Sequence, residues 1–274
     1  MKHYYLIPGL TALLLLTQTP VQAITIDGDL NDWIATPQGE ASDWQPLRNT
    51  TSYTIEDQNT SYLNPGYGGQ NYDAEAIYVE IDGGTLYIAI VTGLSPNSSA
   101  WPAGDIAIDF GDDDSFEYGI VVLGDTSNPR GGLGSAGEIY QVTEWNYGLW
   151  TAPANYDPSG SSLYKSAHPT TVKSGEHEGT ARMVYQKALY NDNEITQLGK
   201  FAGDHYVIET AIDVSVFDPS LWGQKFNVHW TMACANDWIE VDPVPEPPVA
   251  LLFGAGLGLL GWSRYQSKRR AHRS

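Results

Sequence analysis

The 274-residue chain has a single cysteine, Cys234, so no internal disulfide can staple it, even in a compartment that would permit one. A lone cysteine in an apolar strand is expected to be a small buried hydrophobe. Positive charge is nearly as scarce. Of 14 Lys and Arg, six (Lys2, Arg264, Lys268, Arg269, Arg270 and Arg273) lie near the two ends, and all of the 33 acids except Glu246 lie between them. Residues 24–243 therefore carry 8 basic against 32 acidic side chains, a net charge of −24. That balance repels nucleic acid and anionic lipid, and it suits solubility outside the cell or binding of a divalent cation. Also missing are a Gly-x-Ser-x-Gly elbow, a His-Glu-x-x-His helix, a P-loop and a dinucleotide fingerprint. Carboxylate pairs able to hydrolyse a glycoside arise by chance in so acidic a chain, so no catalytic residue is assigned. His168, His177, His205 and His229 are scattered without ligand spacing, which argues against zinc.

Long apolar runs occur only at the ends. Lys2, the apolar run Leu6 to Leu16, and Val21-Gln22-Ala23 with small residues at −3 and −1 form a secretory signal peptide over 1–23. At the far end, Val249 to Trp262 is uncharged, follows the Pro-rich stretch 241–248, and precedes Arg264 and Lys268-Arg269-Arg270. An apolar segment with a basic far end is a membrane-inserting pattern whose basic side stays cytoplasmic. It is short for a span, since about 20 apolar residues cross a bilayer. Gly254, Gly256, Gly258 and Gly261 make it a weak helix in water, which argues against a core helix.

These residues resemble the PEP-CTERM sorting signal of Gram-negative bacteria: Pro245-Glu246-Pro247, a short glycine-rich apolar helix, and terminal basic residues. The resemblance implies an exported precursor, anchored through 249–263 with a basic tail over 264–274. It also implies an exosortase that cuts near Pro-Glu-Pro and leaves the mature protein at the surface or outside the cell. A plain C-terminal membrane anchor is the alternative. The function then lies upstream, in residues 24–240.

That region reads as one all-β domain. Ala76–Ile81 and Thr85–Val91 alternate around Asp82-Gly83-Gly84, the pattern of a hairpin with a glycine turn. Ile77, Val79 and Ile81 share a face, as do Leu86, Ile88 and Ile90. Further strands are expected at Ser52–Glu56, Asp105–Phe110, Phe116–Leu123, Glu138–Glu144, Tyr206–Ile212 and Phe226–Met232, while Ala181–Tyr190 fits a strand or a short helix. Ser127 to Ser174 reads as irregular. Short strands with Gly-rich turns indicate an antiparallel β-sandwich or barrel; the sandwich is the expected fold class.

The opening Ile26-Asp27-Gly28, with Trp33 following, resembles family 9 carbohydrate-binding modules and DOMON-like sandwiches. Tyr72–Tyr78, Ala89–Leu94, Gly104–Gly111 and His229–Met232 resemble the ectodomains that many PEP-CTERM proteins share. The first resemblance implies a jelly-roll-like sandwich that binds polysaccharide. Sugar rings stack on exposed aromatics, so Trp101, Trp145, Tyr147 and Trp150, on expected loops, are the glycan-binding candidates; the alternative is that they fold back over the sandwich. Asp109 and the turn residues Asp112, Asp113 and Asp114 are candidate calcium ligands, because carboxylates this dense repel unless solvated or bridged by a cation. Asp27, Asp29 and Asp32 lack the Glu that an EF-hand requires and read as an acidic turn beside a packed Trp33. Alternatives to polysaccharide binding are a structural or adhesive surface protein without a small ligand, an ice-binding protein and a glycoside hydrolase.

Overall fold

The computed structural model describes residues 23–34, 44–55, 69–124, 132–148, 168–187 and 204–243. Residues 1–22 of the expected signal peptide, Trp150, and everything from residue 244 onward, including Pro245, Glu246, Pro247, Arg264, Lys268, Arg269 and Arg270, lie outside the described residues. Among the described residues, no helix is long and apolar enough to cross a membrane.

The fold is all-β and antiparallel. Its strands are β1 (Ser52–Ile55), β2 (Ala74–Asp82), β3 (Thr85–Thr92), β4 (Ile106–Phe110), β5 (Tyr118–Ile120), β6 (Glu138–Tyr147), β7 (Pro169–Thr180), β8 (Arg182–Lys187), β9 (Tyr206–Asp213), β10 (Phe226–Thr231) and β11 (Trp238–Val241). They form a five-stranded sheet, β1-β2-β3-β9-β8, and a six-stranded sheet, β11-β10-β4-β5-β6-β7. The β2–β3 hairpin turns on Gly83 and Gly84, with φ of 57° and 87°, a left-handed pair that glycine adopts without strain and that suits the twist of a two-residue hairpin.

Alternation decides which faces meet. Ile77, Val79, Leu86, Ile88, Ile90, Ile208 and Ile212 from one sheet pack on Ile106, Ile108, Phe110, Ile120, Val228 and Trp230 from the other. Phe110 anchors one end, with ring centroids 5.4 Å from Phe217, 5.5 Å from Phe226 and 5.8 Å from Tyr118. Cys234 is fully buried in this core, as a small hydrophobe.

Parts of both outer faces are covered as well. On the five-stranded sheet, Ala76, Tyr78, Ala89, Val91 and Val207 lie under Leu30, Trp33, Ile34 and Trp44 of the N-terminal segment. On the six-stranded sheet, the cover comes from the β6–β7 hairpin. Register shifts in that pair, between Val142 and Glu144 and again around Trp145 and Tyr147, are bulges that bend a strand. The start of β7 thereby lies over β4: Asp105 N donates to Thr170 O at 2.7 Å. Gly119 is small because the cover comes so close; a Cβ there would sit 2.8 Å from Trp145 Cη2.

Strands β7 and β11 were not expected from sequence. Strand β7 carries Lys173-Ser174-Gly175-Glu176-His177-Glu178-Gly179, and β11 has four residues before a proline, so neither offers a periodic apolar signal.

Candidate metal centre

Four neighbouring strands present one cross-strand row on the outer face of the six-stranded sheet. Asn227 on β10 is paired with Asp109 on β4. Continuing the β4–β5 and β10–β11 registers by one residue places Glu117 opposite Asp109 and Asp242 opposite Asn227. The row therefore runs Glu117, Asp109, Asn227, Asp242. Like charges directly opposite each other on a sheet are destabilising, and this row holds three carboxylates with no Lys or Arg among them.

The turn after β4 adds a fourth. Gly111 and the left-handed Asp112 and Asp114 (φ 111°, 57° and 66°) wind the chain back over Asp109, a conformation Asp tolerates better than most residues. Asp109, 2% exposed, accepts from Asp113 N at 3.3 Å and Asp114 N at 2.7 Å. Glu117 accepts from Phe110 N at 2.7 Å. Carboxylate oxygens of Asp109, Asp113 and Glu117 then all lie within 4.8 Å of one another. Burial, followed by the charges of Asp109 and Asp113, holds the Glu117 carboxyl above the usual range. Partial desolvation also raises Glu240, whose side chain is still solvent-accessible, with Asp242, Asp114, Asp112 and Asp109 adding to it.

Asn227 supplies an independent sign of a ligand. It is only 6% exposed, and its Nδ2 donates to Asp242 Oδ1 at 2.9 Å. Its Oδ1 is buried with no hydrogen-bond partner among the described residues. Leaving a buried acceptor unsatisfied costs about 1–3 kcal/mol. A cation or a water beside the row would satisfy it. A donor set made only of oxygens suits a hard cation such as calcium, whose flexible coordination takes carboxylates, amide carbonyls and water.

Of the residues singled out from sequence for calcium, Asp109 and Asp113 converge. Asp112 and Asp114 shape the turn and add charge, but their carboxylates stay outside the cluster. Glu117, Asn227 and Asp242 were missed. The spacing Asp109, Asp113, Glu117 was visible, but the pairing of β4 with β10, over 100 residues apart in sequence, was not.

Among the described residues, the glycan-binding candidates Trp101 and Trp145 pack into different apolar clusters. Trp101 packs half-buried against the inter-sheet core. Trp145 packs half-buried on the outer face with Val121, Tyr140 and Val172, and its indole N–H donates to Phe116 O at 2.9 Å. Of the described three only Tyr147, 53% exposed, presents its ring to solvent. For the two tryptophans, packing on these apolar clusters removes more ring area from water than full exposure would.

Next to the acidic row is an uncharged stack. His168 lies against Trp238 with centroids 4.7 Å apart, and His168 Nδ1 sits 3.2 Å from His229 Nε2. Burial pushes the His168 imidazole down to about 4, partly opposed by Asp114, and pushes the deeper His229 further below its ordinary value, with His168 adding to the shift. Both rings are thus neutral near pH 7. The stack's stability is fully present above the unfolded value near 6.5 and is lost as pH falls through 4. The His168 ring protons should accordingly titrate by NMR with a midpoint near 4; a midpoint near 6.5 would show a solvated ring.

No protein-family description, curated protein or solved structure matches this chain.

Proposed function

We propose that this chain is an exported, exosortase-sorted cell-surface or extracellular-matrix protein of a Gram-negative bacterium, with a jelly-roll-like sandwich that holds structural calcium and binds extracellular polysaccharide. The observation that carries the calcium reading is the convergence of Asp109, Asp113 and Glu117 beside the unpartnered Asn227 Oδ1. Sorting rests on Pro245-Glu246-Pro247, the apolar run 249–263 and the basic tail. The net charge of −24 over 24–243 supports a role outside the cell, where millimolar calcium would screen it.

The test is thermal unfolding of the full-length chain in mild detergent, with calcium or with chelator. Calcium at a hundred times its dissociation constant adds about 2.7 kcal/mol. For a domain of this size that raises Tm by about 5–10 °C. Asp109→Asn and Glu117→Gln should each abolish the shift, whereas Asp112→Asn, outside the cluster, should keep most of it. An identical Tm in calcium and chelator would sink the metal reading.

A further inference from the structure

The geometry points to a binding subsite for a cationic amino-sugar unit in the groove formed by Thr54, Trp238, Glu240 and Asp242. This deepens the polysaccharide reading above and rests on it. The groove has a volume of about 320 Å³, at the small end of ligand sites. It lies at the side of the sandwich where the edge strands of the two sheets meet. Thr54 on β1 donates its hydroxyl to Glu240 O on β11 at 2.7 Å, so the two walls are tied together and the groove is pre-formed.

Its chemistry is lopsided. Trp238 is half-buried and held in place by His168 stacked 4.7 Å away at 23°. It brings a rigid aromatic surface into the groove. Glu240 and Asp242 are exposed beside it, and neither is in an ion pair among the described residues. Asp242 Oδ1 accepts from Asn227, the buried side chain whose own Oδ1 is unpartnered, and that contact joins the groove to the acidic row. Asp242, Asp114 and Asp112 add their negative charge around Glu240. An anionic sugar is repelled here, and a neutral one leaves the field uncompensated. A ring with an apolar face for the indole, hydroxyls for Thr54, and an ammonium for the carboxylates uses every group present.

The experiment is calorimetric titration of the full-length, calcium-saturated chain at pH 6. The probes are a glucosamine tetramer, its fully N-acetylated form, and a tetralysine peptide. The expected result is saturable heat from the glucosamine tetramer, at least tenfold weaker for the acetylated form. Glu240→Gln, an exposed change that spares the core, and Trp238→Ala should each weaken binding tenfold or more. Equal binding of both tetramers, or full binding by Glu240→Gln, would overturn the subsite. So would tetralysine binding as tightly as the sugar, which would assign the groove to a protein partner. If only the acetylated tetramer or the host's own exopolysaccharide binds, and indifferently to Trp238 and Glu240, the groove falls and the polysaccharide reading stands. Silence from every glycan ends both.

Discussion

Glu209→Ala is expected to destabilise the protein by about 3–6 kcal/mol and to release the N-terminal segment from the sheet it covers. Glu209 is fully buried on β9. Its Oε2 accepts from Asp27 N at 3.0 Å and Gly28 N at 2.5 Å, and its Oε1 from the Trp33 indole N–H at 2.8 Å. One carboxylate thus satisfies three donors of the segment that lays Leu30, Trp33 and Ile34 over Tyr78, Val91 and Val207. Truncation leaves those donors without an acceptor, at about 1–3 kcal/mol each, and adds a cavity. Relief of a buried charge offsets part of the loss. Chemical denaturation measures the total, and hydrogen exchange over 24–34 locates it. Unchanged protection of those amides would show that apolar packing alone holds the segment. Glu209→Gln, which keeps shape and one acceptor, should lose less.

The second large effect is a dependence on pH that runs opposite to ordinary acid denaturation. Asp105, 1% exposed, accepts from Val122 N at 3.0 Å and Val172 N at 2.8 Å, which pins the cover strand β7 to the sheet. Those bonds favour its charged form, but burial outweighs them and raises its pKa to about 7. Burial likewise raises Glu209 to about 7 and Asp237 to about 6. A folded value above the unfolded one means that the native state holds the proton more tightly. The stabilisation is therefore full below about pH 4 and is lost as pH rises through 7. The neutral His168–His229 pair pulls the other way below about pH 6.5, so the carboxylates dominate between pH 6 and 8. Over that window Asp105 and Glu209 each give up about 1.4 kcal/mol. In chelator the native chain should lose on the order of 1.5 kcal/mol from pH 6 to 8, because the two histidines regain about 0.8 kcal/mol each over the same window, and Asp105→Asn should lose about 1.4 kcal/mol less than the native chain. Equal slopes for the two proteins would show that Asp105 is charged at both ends of the range.

Sequence and structure agree where the information is local. The β2–β3 hairpin was legible because alternation and the Gly83-Gly84 turn act within 20 residues. Phe226, Val228 and Trp230 were legible as a core face for the same reason. The aromatics divided differently. Trp33 was recognised as packed, whereas for Trp101 and Trp145 folding back over the sandwich stood as the alternative to a glycan platform, and loop composition did not decide between them. Trp238, which the groove relies on, attracted no notice because β11 is too short to show a period.

What the sequence determined by itself is a negatively charged, disulfide-free chain of alternating strands between two apolar terminal runs. Its hydrophobic period of two calls for an antiparallel sandwich or barrel whatever the strand order. The tertiary structure alone decided which acids meet. Asp109 faces Glu117 and Asn227 only because β4 lies between β5 and β10, and Glu240 lines a groove only because β11 ends its sheet beside β1. Coulomb repulsion and cation coordination act over a few ångströms through space, so the chemistry of this surface is set by strand order, which composition and spacing do not encode.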